Sequence, residues 1–503
     1  MTRFQSEHDI FRDSVRQFIE KEVLPVADTW EANGYIPRDM WKKMGELGFL
    51  GINLPSEYGG TEADFWYSVA FLEEVGRSGY GGFSASVAVQ EYMAIAHLAR
   101  AGSHELKQKF LAPAIAGEQI GALAISEPNI GSDVANLETS AVLEGDFYRL
   151  NGSKMFITNG GHADFVTVAA RTGGKGAEGV SLLIVESQSE GFKANPLQKL
   201  GWHCSDTAEL VFEDVLVPKS HLIGKENHGF YYIMESFQLE RLVGAILAIG
   251  GMDRCLEMTR DYIASRKAFN RPIGSFQAIR HRFVDLLTEF EAARQLTYLA
   301  CDQYAKGEMA VQACSMAKLY ATELSNKVAD VCLQLHGGYG YMNEYPISRF
   351  YRDSRVGTIA GGTSEIMREI LAKTCLDQVR YDSKYQVGSD EQTADGPGVE
   401  EILLSLPQRF RSEKANGFAG VVQFHIQGSG GGEFTAHIQN SACSVEPGLK
   451  GEADCHLRTD AETYCAMELG QLAPEAAFMS GKVKVDNIPV LMQFTRLFSR
   501  FPT

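Results

Sequence analysis

The sequence has no CxxC pair, and its nine cysteines are scattered singly. Isolated thiols in odd number argue against a disulfide-stapled scaffold, and no second pair joins Cys332 and His336 to complete a zinc site. Cys204, Cys255, Cys301, Cys314 and Cys332 sit in apolar or helical surroundings and read as reduced, buried thiols. No GxGxxG follows a strand, so a Rossmann-type nucleotide site has no support. Long apolar runs are missing too. The most apolar stretch, residues 242–252, is far shorter than the roughly 20 residues that span a bilayer. Excess positive charge is absent: a formal charge of -17 argues against a nucleic-acid binder, while leaving room for a local basic pocket. The first twenty residues carry acids along an amphipathic helical pattern, unlike a signal or transit segment, and Phe501-Pro502-Thr503 is not a peroxisomal address. A cytoplasmic location is the expectation.

What is present is an ordinary globular composition, 45% hydrophobic and 22% charged, long enough for three or four domain-sized units. Residues 1–121 read as helices: Phe11, Val15, Phe18 and Ile19 recur at helical spacing before a break at Pro25, and 65–75 and 84–98 show similar faces. Residues 122–235 turn to short β-rich runs, at 164–170, 179–185 and 207–212. Residues 236–375 return to longer helices, as at 283–304 and 311–335. A polar, acidic stretch, 376–397, reads as a linker. In 398–503, Val422, Phe424 and Ile426 alternate, glycines turn the chain at 428–432, and Phe434, Ala436 and Ile438 alternate back, which predicts a hairpin. Thr459 to Glu462 reads as a capping box, Val483 and Val485 as a strand, and Val490, Leu491, Phe494, Leu497 and Phe498 as the face of a last helix. The fold class is multidomain α+β.

Five segments in order carry a resemblance. They are Ala124-Ile-Ser-Glu-Pro-Asn-Ile-Gly-Ser-Asp-Val-Ala135, Lys154-Met-Phe-Ile-Thr-Asn-Gly160, Leu200-Gly-Trp-His-Cys-Ser-Asp-Thr-Ala-Glu-Leu210, Arg266-Lys-Ala-Phe-Asn-Arg-Pro-Ile-Gly-Ser-Phe-Gln277 and Gln334-Leu-His-Gly-Gly-Tyr-Gly-Tyr-Met-Asn-Glu344. Residues 1–375 resemble a complete acyl-CoA dehydrogenase, which implies a helical domain, a small β-barrel and a four-helix bundle. The resemblance implies FAD as cofactor. Ser126, Ser132, Phe156 and Thr158 would meet it from the barrel, with Thr363 and Glu365 as further contacts. Arg266 would reach its pyrophosphate, Phe269 in the same segment would be a further contact to the cofactor, and Gln334, Gly337 and Gly338 would serve the FAD of a neighbouring subunit. Read alone, these residues are bland: Phe156 as core, Thr158 as a strand former, Arg266 as a surface arginine, Gly337 as a helix C-cap.

The segment Ala360-Gly-Gly-Thr-Ser-Glu-Ile366 resembles the family's closing motif, and many members carry the catalytic base where this chain has Gly361. Glu240 resembles the alternative base of the long-chain and isovaleryl branches. Its own setting supports attention, since Val243, Gly244 and Leu247 place it on the apolar side of a helix. A buried carboxylate there would have a raised pKa unless paired, for instance with Arg241. Glu365 and Glu369 are rival carboxylates at the start of a following helix. The implied reaction is α,β-dehydrogenation of a fatty acyl-CoA to the trans-2-enoyl-CoA. By that resemblance Glu240 would remove the α-proton, the backbone N–H of Gly361 would polarise the thioester oxygen, Arg241 would contact substrate, and electrons would pass to an electron-transferring flavoprotein. Ala360 in place of an aromatic, with glycine at 361, widens the expected acyl pocket toward long or branched chains.

Residues 398–503 resemble a sterol-carrier-type lipid-transfer domain, most clearly over 473–485. Phe478, Met479, Leu491, Met492 and Phe494 are candidates to line a lipid tunnel or simply to fill a core. No metal is expected. The rival readings are a noncatalytic flavoprotein or lipid carrier, and an oxidase of the same fold. FAD contacts from two subunits imply a homodimer or homotetramer.

Overall fold

Helices, then strands, then longer helices follow one another along the first 375 residues, and a mixed helix-and-strand stretch completes the chain. The computed structural model describes residues 3–377 and 398–499, apart from 416–417, 429, 441, 470–476 and 478–481. It divides into two units, 1–388 and 389–503.

In the first unit the helix Ser6–Phe18 buries Val15 and Phe18, and one π-turn, Ile19–Val23, carries it to Pro25. Phe65–Arg77 begins at Asp64, whose carboxylate accepts the Trp66 N–H at 2.7 Å. The helical pattern over 84–98 is interrupted, giving Gly81–Val89, a π-turn Gln90–Ala94 and Ala96–Ala101. Polar residues at the π-turn face inward and are satisfied there. Gln90 donates to Ala114 O and Gln119 O, while Glu91 accepts the N–H groups of Gly51 and Ile52.

Eight strands follow in the order Phe192–Pro196, Ala208–Pro218, Phe147–Ile157, Ser140–Glu144, Phe165–Arg171, Val180–Glu186 and Leu222–Ile223, with Gly121–Ala124 parallel to Phe165–Arg171. Alternation sorts the side chains. Val166, Val168, Leu183 and Val185 share a core with Leu210, Phe212 and Val215 from the far side of the sheet, so the sheet curls into a barrel. Phe165, Ala169, Leu182 and Ile184 point the other way, onto Phe110, Leu111 and Ile233 of the helices.

The helical bundle comprises Gly229–Ser265, Gln277–Ala305, Val311–His336 and Ser364–Cys375. Its 37-residue first member crosses Phe65–Arg77 backbone to backbone. A Cβ on Gly250 would stand 2.1 Å from Glu73 O, and one on Gly76 2.5 Å from Leu247 O. Only glycine permits that approach, and it fixes the height of Glu240 within the bundle. Cys204, Cys255, Cys301, Cys314 and Cys332 are all buried, and His336 turns its Nδ1 to the backbone oxygen of Cys332.

The second unit has five strands in the order Ala442–Pro447, Gly432–Gln439, Gly420–Gln427, Cys455–Asp460 and Lys484–Val485. The expected hairpin is present, with Phe424 opposite Phe434. Val422, Phe424 and Ile426 pack on Ile402, Leu403, Tyr464 and Phe494. The capping box is corrected: Thr459 is still paired in its strand, and Asp460 is the N-cap, accepting the Thr463 N–H at 2.8 Å. Phe478, Met479, the side chain of Met492 and linker residues 378–397 lie outside the described residues, as does most of 473–481. Among the described residues no helix is long and apolar enough to cross a membrane.

Candidate active site

The candidate residues gather in three places. On the barrel, the ladder between Phe147–Ile157 and Ala208–Pro218 slips between Lys154 and Ile157. Within that bulge Phe156 takes a left-handed backbone (φ 64) and leaves 70% of its surface exposed. A bulky residue held so, with its ring outward, is a conformation that function has to explain. Thr158 lies just past the strand, in a turn, and is not a strand former. The Met155 N–H donates to Ser126 O at 2.9 Å and so joins the bulge to the loop bearing Ser126 and Ser132. Ser126 is half-buried and Ser132 exposed.

Two residues beneath this surface had no role in the sequence reading. Lys154, fully buried, donates to Ile125 O at 2.9 Å and to Glu127 Oε1 at 2.8 Å. Glu127 also accepts the N–H groups of Glu138 and Thr139. Burial pushes the Lys154 ammonium down to about 8, against the pull of Glu127. Burial raises the Glu127 carboxyl, but Lys154 and the backbone donors outweigh it and hold the group below its ordinary value. The pair therefore keeps its charges and clamps both ends of the Ser126 loop. Strand alternation from Tyr148 through Leu150 places Lys154 inward, which was the available signal.

The second place is a cavity of about 500 Å³ lined by Tyr262, Arg266, His336, Gly337, Gly338 and Tyr339, among others. Arg266 caps the long helix, its guanidinium 5.4 Å from the Tyr339 ring centroid. Gly337 (φ 61) is the C-cap of the helix Val311–His336, its N–H donating to Gln334 O, and a Cβ on Gly337 or Gly338 would meet nothing. Gln334 is exposed on that helix's last turn. Phe269 and Asn270 turn a short hairpin with φ 51 and 63, and Phe269 is 89% exposed. An open trough with a guanidinium and side-chain-free backbone fits a pyrophosphate, and two outward aromatics fit a flat ring system.

The third place centres on Glu240. The helix Gly229–Ser265 presents it 9% exposed, and Oε1 has no hydrogen-bond partner among the described residues. Burial pushes its carboxyl up to about 7, with the charge of Arg241 pulling the other way. Arg241 is itself buried, 5.8 Å from the Phe237 ring centroid. Gly361 and Gly362 form a turn with φ 63 and 88, and Lys318 Nζ donates to Gly362 O at 2.5 Å. Thr363 caps the helix Ser364–Cys375, its hydroxyl accepting the Ile366 N–H, and Glu365 is exposed in the first turn, where the helix dipole favours an acid.

A helical domain, a barrel and a helical bundle built around such a carboxylate define the acyl-CoA dehydrogenase fold, and the chain belongs to that family. The family's N-terminal domain matches residues 5–118, its middle domain 122–215 and its C-terminal domain 227–376. Residues 401–499 match the SCP-2 sterol transfer family, so this is an acyl-CoA dehydrogenase carrying a C-terminal SCP-2 domain. The chain is 42% identical over 374 residues to the mitochondrial long-chain specific acyl-CoA dehydrogenase of Sus scrofa, covering 74% of this chain and 86% of that protein. It is 38% identical over 374 residues to the mitochondrial isovaleryl-CoA dehydrogenase of Solanum tuberosum, covering 74% and 90%. Among solved structures, an acyl-CoA dehydrogenase of Bacillus anthracis complexed with FAD superposes with a TM-score of 0.72 at 32% identity, covering 75% of this chain and 68% of that one.

Proposed function

We propose that the chain oxidises a long- or branched-chain fatty acyl-CoA to its trans-2-enoyl-CoA, with Glu240 as the base. The family is FAD-dependent, and when bound FAD supplies the acceptor for the β-hydride. Arg266, Gly337 and Gly338 would hold its pyrophosphate, with Gln334 beside them and Phe269 on the adjoining hairpin. Ser126, Ser132, Phe156 and Thr158 would hold the ring end. Thr363 and Glu365, at the start of their helix, are the remaining candidate contacts. Contributions from two subunits would make the enzyme a homodimer or homotetramer, and an electron-transferring flavoprotein is the expected acceptor of the electrons.

The observation that carries the reading is the buried carboxylate of Glu240, whose Oε1 has no hydrogen-bond partner among the described residues, in a chain whose closing motif holds glycine at 361. Taking the α-proton of a thioester needs a base whose proton affinity is high yet still ionised near neutrality, and a carboxyl raised to about 7 has that property. The enolate oxygen needs donors. Gly361 keeps its backbone N–H while lacking a side chain, so donor and base stand on separate elements. Arg241, next to the base and buried, would orient the substrate thioester. The SCP-2 domain binds lipid and would retain long acyl chains.

The test is anaerobic titration of the FAD-loaded protein with acyl-CoAs of increasing chain length. Bleaching of the flavin band, fastest with long or branched chains, is the expected result. Glu240→Gln should keep FAD and lose bleaching by about 10³-fold or more. Wild-type rates in that variant would sink the assignment, and peroxide formation with substrate alone would make the enzyme an oxidase.

A further inference from the structure

The turn that would polarise the thioester is bonded on either side of Gly361 and not at Gly361 itself. Upstream, the Ala360 N–H bonds to Val356 O at 2.9 Å. Gly361 itself is exposed, with nothing within 4 Å of where a Cβ would stand, and among the described residues no group accepts its N–H. Two successive glycines with positive φ have no steric reason to stay in one conformation. The next fixed point downstream is Gly362 O, which accepts from Lys318 Nζ at 2.5 Å. Lys318 is 2% exposed, rooted in the helix Val311–His336. A buried ammonium is costly, and an apolar side chain would fill the same space without that cost, so a lysine bonded to this turn asks for a purpose. The charged groups acting on it are Arg241 from the long helix, Glu323 from its own helix and Glu365 from Ser364–Cys375.

We propose that Lys318 is a positioning residue for the dehydrogenation, clamping the Gly361–Gly362 turn so that the Gly361 N–H is aimed at the thioester oxygen. This rests on the reading of Gly361 as the backbone donor. The proton affinity of Glu240 is set by burial, which raises it, and by Arg241, which lowers it. Displacing a transition-state donor by a fraction of an ångström lowers the chemical step while leaving substrate affinity almost alone.

The experiment compares FAD-loaded, full-length wild type with Lys318→Met, which keeps the stem and loses the donor, and Lys318→Arg, which keeps a donor. Flavin reduction at saturating acyl-CoA should fall about 10- to 100-fold in Lys318→Met with KM within about twofold, and Lys318→Arg should recover part of the loss. Hydrogen–deuterium exchange without substrate should quicken over residues 356–367 in Lys318→Met and nowhere else in the bundle. Unchanged exchange there overturns the clamp, whatever the activity does. A lost rate with the acid limb of the pH profile moved away from about 7 also overturns it, because Lys318 would then act through the charge on Glu240. A wild type that never bleaches refutes the dehydrogenase reading alone, since the exchange comparison stands without turnover. If Lys318→Met does not fold, Lys318→Gln, a shorter donor, carries the same two readouts.

Discussion

Glu240 trades stability for chemistry, and the sign of that trade is measurable. Its folded-state carboxyl, at about 7 against an ordinary 4.5, binds a proton more tightly than the unfolded chain does. The folded protein is therefore favoured while the group is protonated, below about 4.5, and loses that advantage as pH rises to about 7, by about 3 kcal/mol. Apo Glu240→Gln should melt higher than wild type at pH 8 and near it at pH 5. A scan of Tm against pH for both proteins checks this, and parallel curves would refute it. Catalysis runs the other way: the rate of flavin reduction should rise with pH through about 7 as the base ionises, and fall below it. The amphipathic wheel around Val243 and Leu247 was enough to place Glu240 on a buried face. Nothing in the string of letters showed that its oxygen would stay unpartnered, because that depends on side chains from other elements.

At the scale of elements, the barrel loop depends on a charge pair that local pattern could not weigh. Lys154→Met would leave Glu127 buried among donors but without its counter-ion, a change that costs about 3–5 kcal/mol in comparable buried pairs. The expected outcome is a lower Tm together with weaker FAD retention on gel filtration, since Ser126 and Phe156 hang from the two ends of that clamp. Full flavin content at an unchanged Tm would count against it. At the crossing of the two helices, Gly250→Ala would force backbone apart at Glu73 and should destabilise by about 1–3 kcal/mol in thermal denaturation. Strands were easy to foresee where alternation was clean, as in Val422 to Ile426 against Phe434 to Ile438. Misjudged positions share a cause. The π-turn at Gln90–Ala94 and the cap at Asp460 are each settled by hydrogen bonds to residues far away or to a neighbouring strand. Phe156 and Phe269 were named through resemblance, and their left-handed backbones have no signature in residue type.

At the scale of the whole molecule, each unit has a core of its own, one built on Phe83, Leu242 and Ile246 and the other on Val422, Phe424 and Ile438. A chain ending at residue 389 should keep its FAD and its short-chain activity, while kcat/KM for long chains falls several-fold more. Steady-state assays across chain lengths read this out, and equal losses for short and long substrates would assign the SCP-2 domain a purely supportive part. The dehydrogenase motifs, spread over five segments, made this unit recognisable from end to end. The lipid-binding unit rested on one stretch and a hairpin, because a sheet-and-helix core of this size leaves few residues chemically committed.

Two cores on one polypeptide also change the arithmetic of supply. A lipid site tied to its enzyme works at a local concentration of the order of millimolar, whatever the cell's pool of carrier. Such a site has no need of tight binding, and tightness would be harmful, since an acyl chain held for minutes is a chain not oxidised. A fused domain that supplies its own enzyme is under pressure for rapid release rather than for tight binding. Cut free, it should look like a poor lipid binder by the standards of carriers that must travel.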